Sequence, residues 1–235
     1  VGKTCVALIL LSFAAAGNEV GYTPVFGYAE QEILGWKVLL NKDFSGEHPD
    51  LASDVLRLLE HQLYQITRVV PEAALKELRR QNIWVEYEDR NFPCMCYHPS
   101  AEWLSKNGYN PDKEGDIEIC GARKFLQWTK DQPWMVLHEL AHGYHDLVLG
   151  YNNPQIRQAY EKAVADSKYE SVLHINGRKQ KAYALNNAKE YFAETAEAYF
   201  GTNDFYPFVR SELKESDPDA YELHKKLWNL NEEAN

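Results

Sequence analysis

The stretch His138-Glu139-Leu140-Ala141-His142 constrains this chain more than any other. Residues four apart share one face of an α-helix, so a helical reading brings both imidazoles to a single point. Its neighbours, from Gln132 to Leu149, are rich in Leu, Val, Met and Ala and suit a helix. Two imidazoles with an adjacent carboxylate form the core of a catalytic zinc site. The histidines bind the metal, an open position takes water, and the carboxylate removes that water's proton. The pattern also arises by chance in ordinary helices, so the rest of the chain has to supply a third ligand and a fold to hold it.

At 235 residues and 45% hydrophobic content, the chain is long enough to bury one core, shared between two closely packed lobes. Its formal charge is -10, with the acidic residues spread out rather than gathered in a tail. No basic patch accompanies them, which excludes nucleic acid as an expected partner. Val1 to Lys3, the apolar run Cys5 to Phe13 and Ala14-Ala15-Ala16-Gly17 follow the order of a secretory signal peptide, here residues 1–16. The apolar run is too short to span a bilayer. The expected mature chain, 17–235, is a single catalytic domain, secreted or periplasmic, monomeric and free of the membrane. An oxidising compartment would permit one bridge, Cys94 or Cys96 to Cys120, leaving one thiol free. Cys94-x-Cys96 has no second Cys/His pair at zinc-finger spacing, so these cysteines read as structural.

The chain reads as α+β. Trp36 to Leu40, Ile83 to Tyr87 and Ile117 to Ile119 are expected strands, and Leu51 to Val70 has helical periodicity. Pro71 opens a helix through Gln81, and Phe92 to Lys113 reads as a long ordered loop. Pro133 begins the motif helix, Gly150 ends it, and a further helix runs from Pro154 to about Tyr169. Asn176-Gly177 signals a hairpin between Val172–Ile175 and Arg178–Leu185. Helices over Asn187 to Phe200, Pro207 to Glu215 and Pro218 to Trp228 complete the layout. It is a small mixed sheet with an active-site helix and a helical C-terminal lobe.

The third zinc ligand has three possible sources. A metzincin needs a histidine six residues past His142, where Val148 stands, and His145 comes too early. An aspzincin uses Gly-Thr-x-Asp, which Gly201-Thr202-Asn203-Asp204 matches in letters, but that segment also reads as helix-end turn chemistry. A gluzincin takes a glutamate from a later helix, and Glu190 and Glu194 lie four apart on one face. One of them can bind metal while the other accepts the second N–H of a ligand histidine.

His138 to His142, Tyr183 and Glu190-Tyr191-Phe192-Ala193-Glu194 resemble the catalytic domain of anthrax lethal factor and the Pro-Pro endopeptidases. They resemble still more closely a group of secreted bacterial relatives of that domain. The similarity extends to Cys96-Tyr97-His98-Pro99-Ser100, Gln132 to Leu137 and Asn203 to Phe208, and covers roughly Ile83 to Trp228. It implies a zincin-type fold with its cleft near the 132–149 helix. Zn2+ would be held by His138, His142 and Glu190, with Glu139 as general base. Tyr183 would donate a hydrogen bond in the transition state, and Glu194 would support a ligand. The expected activity is zinc-dependent endopeptidase cleavage of a peptide or protein substrate. A zinc-stabilised binding protein, a cell-wall amidase and a metal-free helical protein are the competing readings.

Among the remaining histidines, His145 is expected to pack in the helix and His98 to make a structural hydrogen bond. His174 is an alternative oxyanion partner. The Ile117 to Ile119 strand is expected to pair with extended substrate.

Overall fold

The computed structural model describes residues 21–229, apart from 89–91 and 93. The expected signal segment, residues 1–16, lies outside the described residues. Strand alternation organises the first half of the chain. β1 (Tyr28–Ile33), β2 (Trp36–Asn41), β3 (Ile83–Val85), β4 (Met95–Tyr97) and β5 (Ile117–Ile119) form one sheet in the order β1-β2-β3-β5-β4. β2, β3 and β5 run parallel, while β1 and β4 flank them antiparallel. The register aligns Val38, Ile83, Ile117 and Tyr97 in one row and Leu40, Val85, Ile119 and Met95 in another, all buried. These rows face the main core. The intervening row, Leu39, Trp84, Glu118 and Cys96, faces the opposite side.

Two observations correct the expected sheet. Ile117–Ile119 is internal, so it has no free edge for substrate; its neighbour β4 is the edge strand on that side of the sheet. The segment read as a loop from Phe92 to Lys113 contains β4, the helix α4 (Ala101–Lys106) and a 3₁₀ turn at Pro111–Lys113. Ser100 caps α4 by accepting from the Trp103 amide at 3.2 Å.

α1 (Lys42–Glu47) leads into α2 (Pro49–Val69), which buries Val55, Leu59, Leu63 and Ile66 in the same apolar cluster as those inner rows. Each of those side chains contributes about 1.5–3 kcal/mol on removal from water. α3 (Glu72–Leu78) and α5 (Ala122–Trp128) complete that layer.

The motif helix α6 (Met135–Tyr144) runs through the core, and Glu139 is its one position not fully buried. A helix apolar nearly all round belongs in an interior. Gln62 of α2 accepts the Val136 amide at 3.3 Å, which satisfies a donor left over at the helix start. α6 continues as a π turn over His145–Leu149 and stops at Gly150, whose φ of 76° suits glycine.

α7 (Pro154–Ala165), α8 (Ala188–Phe200), α9 (Arg210–Ser216) and α10 (Pro218–Leu227) form the second half. α7 ends four residues before the expected Tyr169. The hairpin at Asn176-Gly177 is short, with β6 (Val172–Leu173) and β7 (Lys179–Gln180), and Tyr183–Leu185 is a 3₁₀ turn rather than strand. One apolar cluster runs through both halves, from Trp36 to Trp228. Among the described residues no helix is long and apolar enough to cross a membrane.

Candidate metal centre

α6 packs along α8, and their facing side chains meet at three atoms. His138 Nε2 lies 3.1 Å from His142 Nε2 and 3.2 Å from Glu190 Oε2, and His142 Nε2 lies 3.2 Å from the same carboxylate oxygen. Four-residue spacing on α6 brings the imidazoles together, and the first turn of α8 brings Glu190. Asn187 fixes that turn by accepting from the Lys189 and Glu190 amides at 2.9 and 3.1 Å.

Two ring nitrogens facing each other beside a carboxylate share too few protons to satisfy every lone pair. Ligands about 2.0–2.1 Å from a tetrahedral zinc lie about 3.3 Å apart, close to the spacing found here. The residues fit the metal. The electrostatics agree: burial disfavours a charged His138, yet Glu190 and Glu197 outweigh it and raise its pKa well above the usual value. Burial also works against the Glu190 carboxylate, but the two histidines hold its pKa well below the ordinary carboxylate range. The carboxylates that favour a proton on His138 create a negative potential there, in which a metal cation can take the proton's place.

The hydrogen bond expected of Glu194 is made by Glu197. His138 Nδ1 meets Glu197 Oε1 at 2.7 Å and lies 4.0 Å from Glu194. Glu194 instead accepts from Asn203 Nδ2 at 3.2 Å. Both acids are buried. Burial, reinforced by neighbouring acids, pushes the Glu197 pKa up to about 7 against the pull of His138, and raises that of Glu194 well above the ordinary carboxylate value. The sequence signal for Glu197 was its spacing. It stands seven residues after Glu190, two turns along the same face.

The centre opens into a cleft of about 780 Å³, walled by β4 with Met95, Cys96 and Tyr97, and reached by Glu139, Tyr183 and Asp204. The Tyr183 ring centre stands 6.5 Å from that of His138. Burial and the nearby Glu190 raise its phenol pKa, which keeps the O–H protonated as a donor. A profile described as "Anthrax toxin lethal factor, N- and C-terminal domain" matches residues 59–227, more than half of the chain. The chain belongs to this family. The lethal-factor family includes metalloprotease-related domains, and the match spans α6, α8 and every cleft residue named above. Neither curated proteins nor solved structures yield a match.

The remaining candidates lie elsewhere. Asp204 turns its carboxylate to His174, Oδ2 to Nε2 at 3.3 Å, and stays outside the three-atom cluster. His174 Nδ1 accepts from the Asn176 amide, so its Nε2–H points at Asp204. His145 packs between Tyr151 and Phe192, with ring centres 5.1 Å away, and burial lowers its pKa to about 4. Cys94, Cys96 and Cys120 are free thiols, so the expected bridge is not formed.

Proposed function

We propose that this chain is a zinc-dependent endopeptidase of the gluzincin type with a zincin-like fold. The observation that carries this reading is the meeting of His138, His142 and Glu190 within 3.2 Å at the floor of a cleft beside Glu139. Zinc held by those three residues supplies Lewis acidity, which acidifies water toward a pKa of about 7 and polarises a carbonyl. Glu139 then takes the proton of the attacking water and delivers it to the departing amine. Tyr183 donates a hydrogen bond to the carbonyl oxygen as it gains charge. Glu197 holds His138 by Nδ1 and leaves Nε2 for the metal.

Among the described residues no strand pairs with the outer edge of β4, which lines the cleft and would take up an extended peptide substrate. Export across a membrane, with the chain acting as a secreted or periplasmic monomer, rests on the sequence of residues 1–16. A non-catalytic zinc protein has no use for Glu139, which lines the cleft beside His138 and His142 without joining the three-atom cluster.

The test combines elemental analysis with a mixed peptide library. Glu190→Ala is expected to carry one zinc fewer than the parent chain and to cut nothing. Glu139→Gln is expected to keep the parent's zinc and lose cleavage. A zinc-loaded parent that cuts no peptide or protein would overturn the endopeptidase assignment, and undiminished zinc in Glu190→Ala would overturn the ligand set.

A further inference from the structure

The sheet's outer face carries a second convergence of donor atoms, about which the proposed activity says nothing. Cys96 and His98 stand two apart along and just past β4. Glu118 and Cys120 stand two apart along and just past the antiparallel neighbour β5. Alternation along a strand sends residues i and i+2 to the same face, so all four side chains emerge together. Cys96 Sγ lies 3.2 Å from Cys120 Sγ and 3.5 Å from His98 Nε2, and His98 Nε2 lies 2.5 Å from Glu118 Oε2. The ligand atoms of Cys96, Glu118 and Cys120 all fall within 4.8 Å of one another. His98, Glu118 and Cys120 are buried, and Cys96 is half-buried at the cleft.

We propose that Cys96, His98, Glu118 and Cys120 form a second metal site, for zinc or another thiophilic divalent ion. Three observations support it. First, His98 Nε2 carries a single hydrogen or a single lone pair, yet it faces both a sulfur and a carboxylate oxygen; one cation answers both. Second, a tetrahedral zinc with bonds of about 2.3 Å to sulfur and 2.0–2.1 Å to nitrogen spaces its ligands about 3.4–3.8 Å apart; the 3.5 Å Cys96–His98 contact matches this, and the 3.2 Å sulfur pair and the 2.5 Å His98–Glu118 pair would open on binding. Third, the ligand atoms of two thiols and a carboxylate, Cys96, Cys120 and Glu118, converge with His98 against both Cys96 and Glu118, whereas a disulfide would employ only the two sulfurs. Lys113 Nζ binds Glu118 Oε1 at 2.6 Å and His98 Nε2 meets Oε2 at 2.5 Å, so the metal would replace the proton held between His98 and Glu118. Thiolate and imidazole donors together favour zinc over magnesium or calcium.

Such a site has a structural consequence. Short strands of three residues gain little from their own hydrogen bonds, and β4 is an edge. A metal joining Cys96 and His98 to Glu118 and Cys120 would fasten that edge strand to β5 and anchor the segment that carries α4. The inner face of the same strand walls the catalytic cleft through Met95 and Tyr97. The site would therefore fix the cleft wall without contributing to the chemistry.

The experiment uses the full chain, purified under reducing conditions and loaded with zinc or with cobalt. Zinc content is expected to be two per chain in the parent and one in each of Cys96→Ser, Cys120→Ser and the His138→Ala/His142→Ala double variant. Cobalt in the double variant is expected to show the near-ultraviolet thiolate charge-transfer band, while a Cys94→Ala control retains it. That spectrum decides the matter even if Cys120→Ser fails to fold. Equal zinc in the parent and Cys96→Ser, or cobalt bound without a thiolate band, would overturn the proposal. Mass spectrometry of alkylated peptides after isolation without reductant supplies a further check, and a Cys96–Cys120 disulfide there would also overturn it. Because the two sites are counted in separate variants, failure of this site and failure of the His138 site give different numbers.

Discussion

At the scale of single residues, the closest control over the candidate metal centre lies with an acid that the ExxxE spacing does not include. Glu197 grips His138 Nδ1 at 2.7 Å, while Glu194 stands 4.0 Å away and serves Asn203. Carboxylates that hold a ligand histidine typically account for 10–100-fold in metal affinity. Glu197→Ala is therefore expected to weaken zinc binding by roughly 10–100-fold in a chelator competition, and Glu194→Ala by clearly less. The reverse ranking would show that the hydrogen bond to Glu197 does not orient the ligand. Tyr183 makes a separable prediction, because it reaches the cleft without joining the three-atom cluster. Tyr183→Phe should leave zinc content unchanged and lower kcat by about 10²–10³-fold, the usual cost of one oxyanion donor. A parent-like kcat would remove Tyr183 from the mechanism.

At the scale of elements, α6 shows how much of the site was legible and where legibility ended. Its chemistry is written in five consecutive residues, and its burial in the apolar residues between them. The contact that seats it is not local. Gln81 lies against Gly143 and donates to the Leu140 carbonyl at 3.2 Å, 59 residues away in sequence. A Cβ on Gly143 would overlap the Gln81 amide. Gly143→Ala is accordingly expected to destabilise the fold by about 1–3 kcal/mol in urea denaturation, despite the better helix propensity of alanine. A neutral or stabilising result would mean that Gln81 swings aside freely. The β1–β2 hairpin escaped notice for a related reason. Its turn, Leu34-Gly35, has φ values of 53° and 92°, a conformation usually signalled by Asn-Gly. α4 and β4 escaped because three to six residues are too few for periodicity to register. The Asn176-Gly177 turn was legible, but the length of its arms was not, since tertiary packing winds Tyr183–Leu185 into a 3₁₀ turn over α8.

At the scale of the whole molecule, the helical half is pinned together by buried polar groups whose partners are far apart in sequence, and one of them sets an acid limit on stability. His224 of α10 is fully buried between α8 and the end of α10. Its Nδ1 accepts from Trp228 Nε1 at 3.0 Å, and its Nε2 meets Thr195 Oγ1 at 2.8 Å. The Thr195 hydroxyl spends its proton on the Tyr191 carbonyl at 2.5 Å, so Nε2 carries the imidazole hydrogen and the ring is neutral. A second proton on Nδ1 would face the indole N–H, and burial lowers the pKa to about 3. In the unfolded chain the ring titrates near the ordinary value of about 6.5. The unfolded state therefore binds the extra proton first as pH falls. This contribution to stability is intact above about pH 6.5 and declines steadily toward pH 3. Each pH unit in that window costs about 1.4 kcal/mol, or about 2 kcal/mol between pH 7 and pH 5. His224→Gln cannot titrate. Although weaker at pH 7, it should lose about 2 kcal/mol less than the parent over the same interval. Urea midpoints at both pH values, measured with chelator present so that metal release does not contribute, give the comparison directly. Parallel losses in the two chains would mean that His224 takes up its proton in the folded state, and that the Trp228–His224–Thr195 chain does not hold the ring neutral.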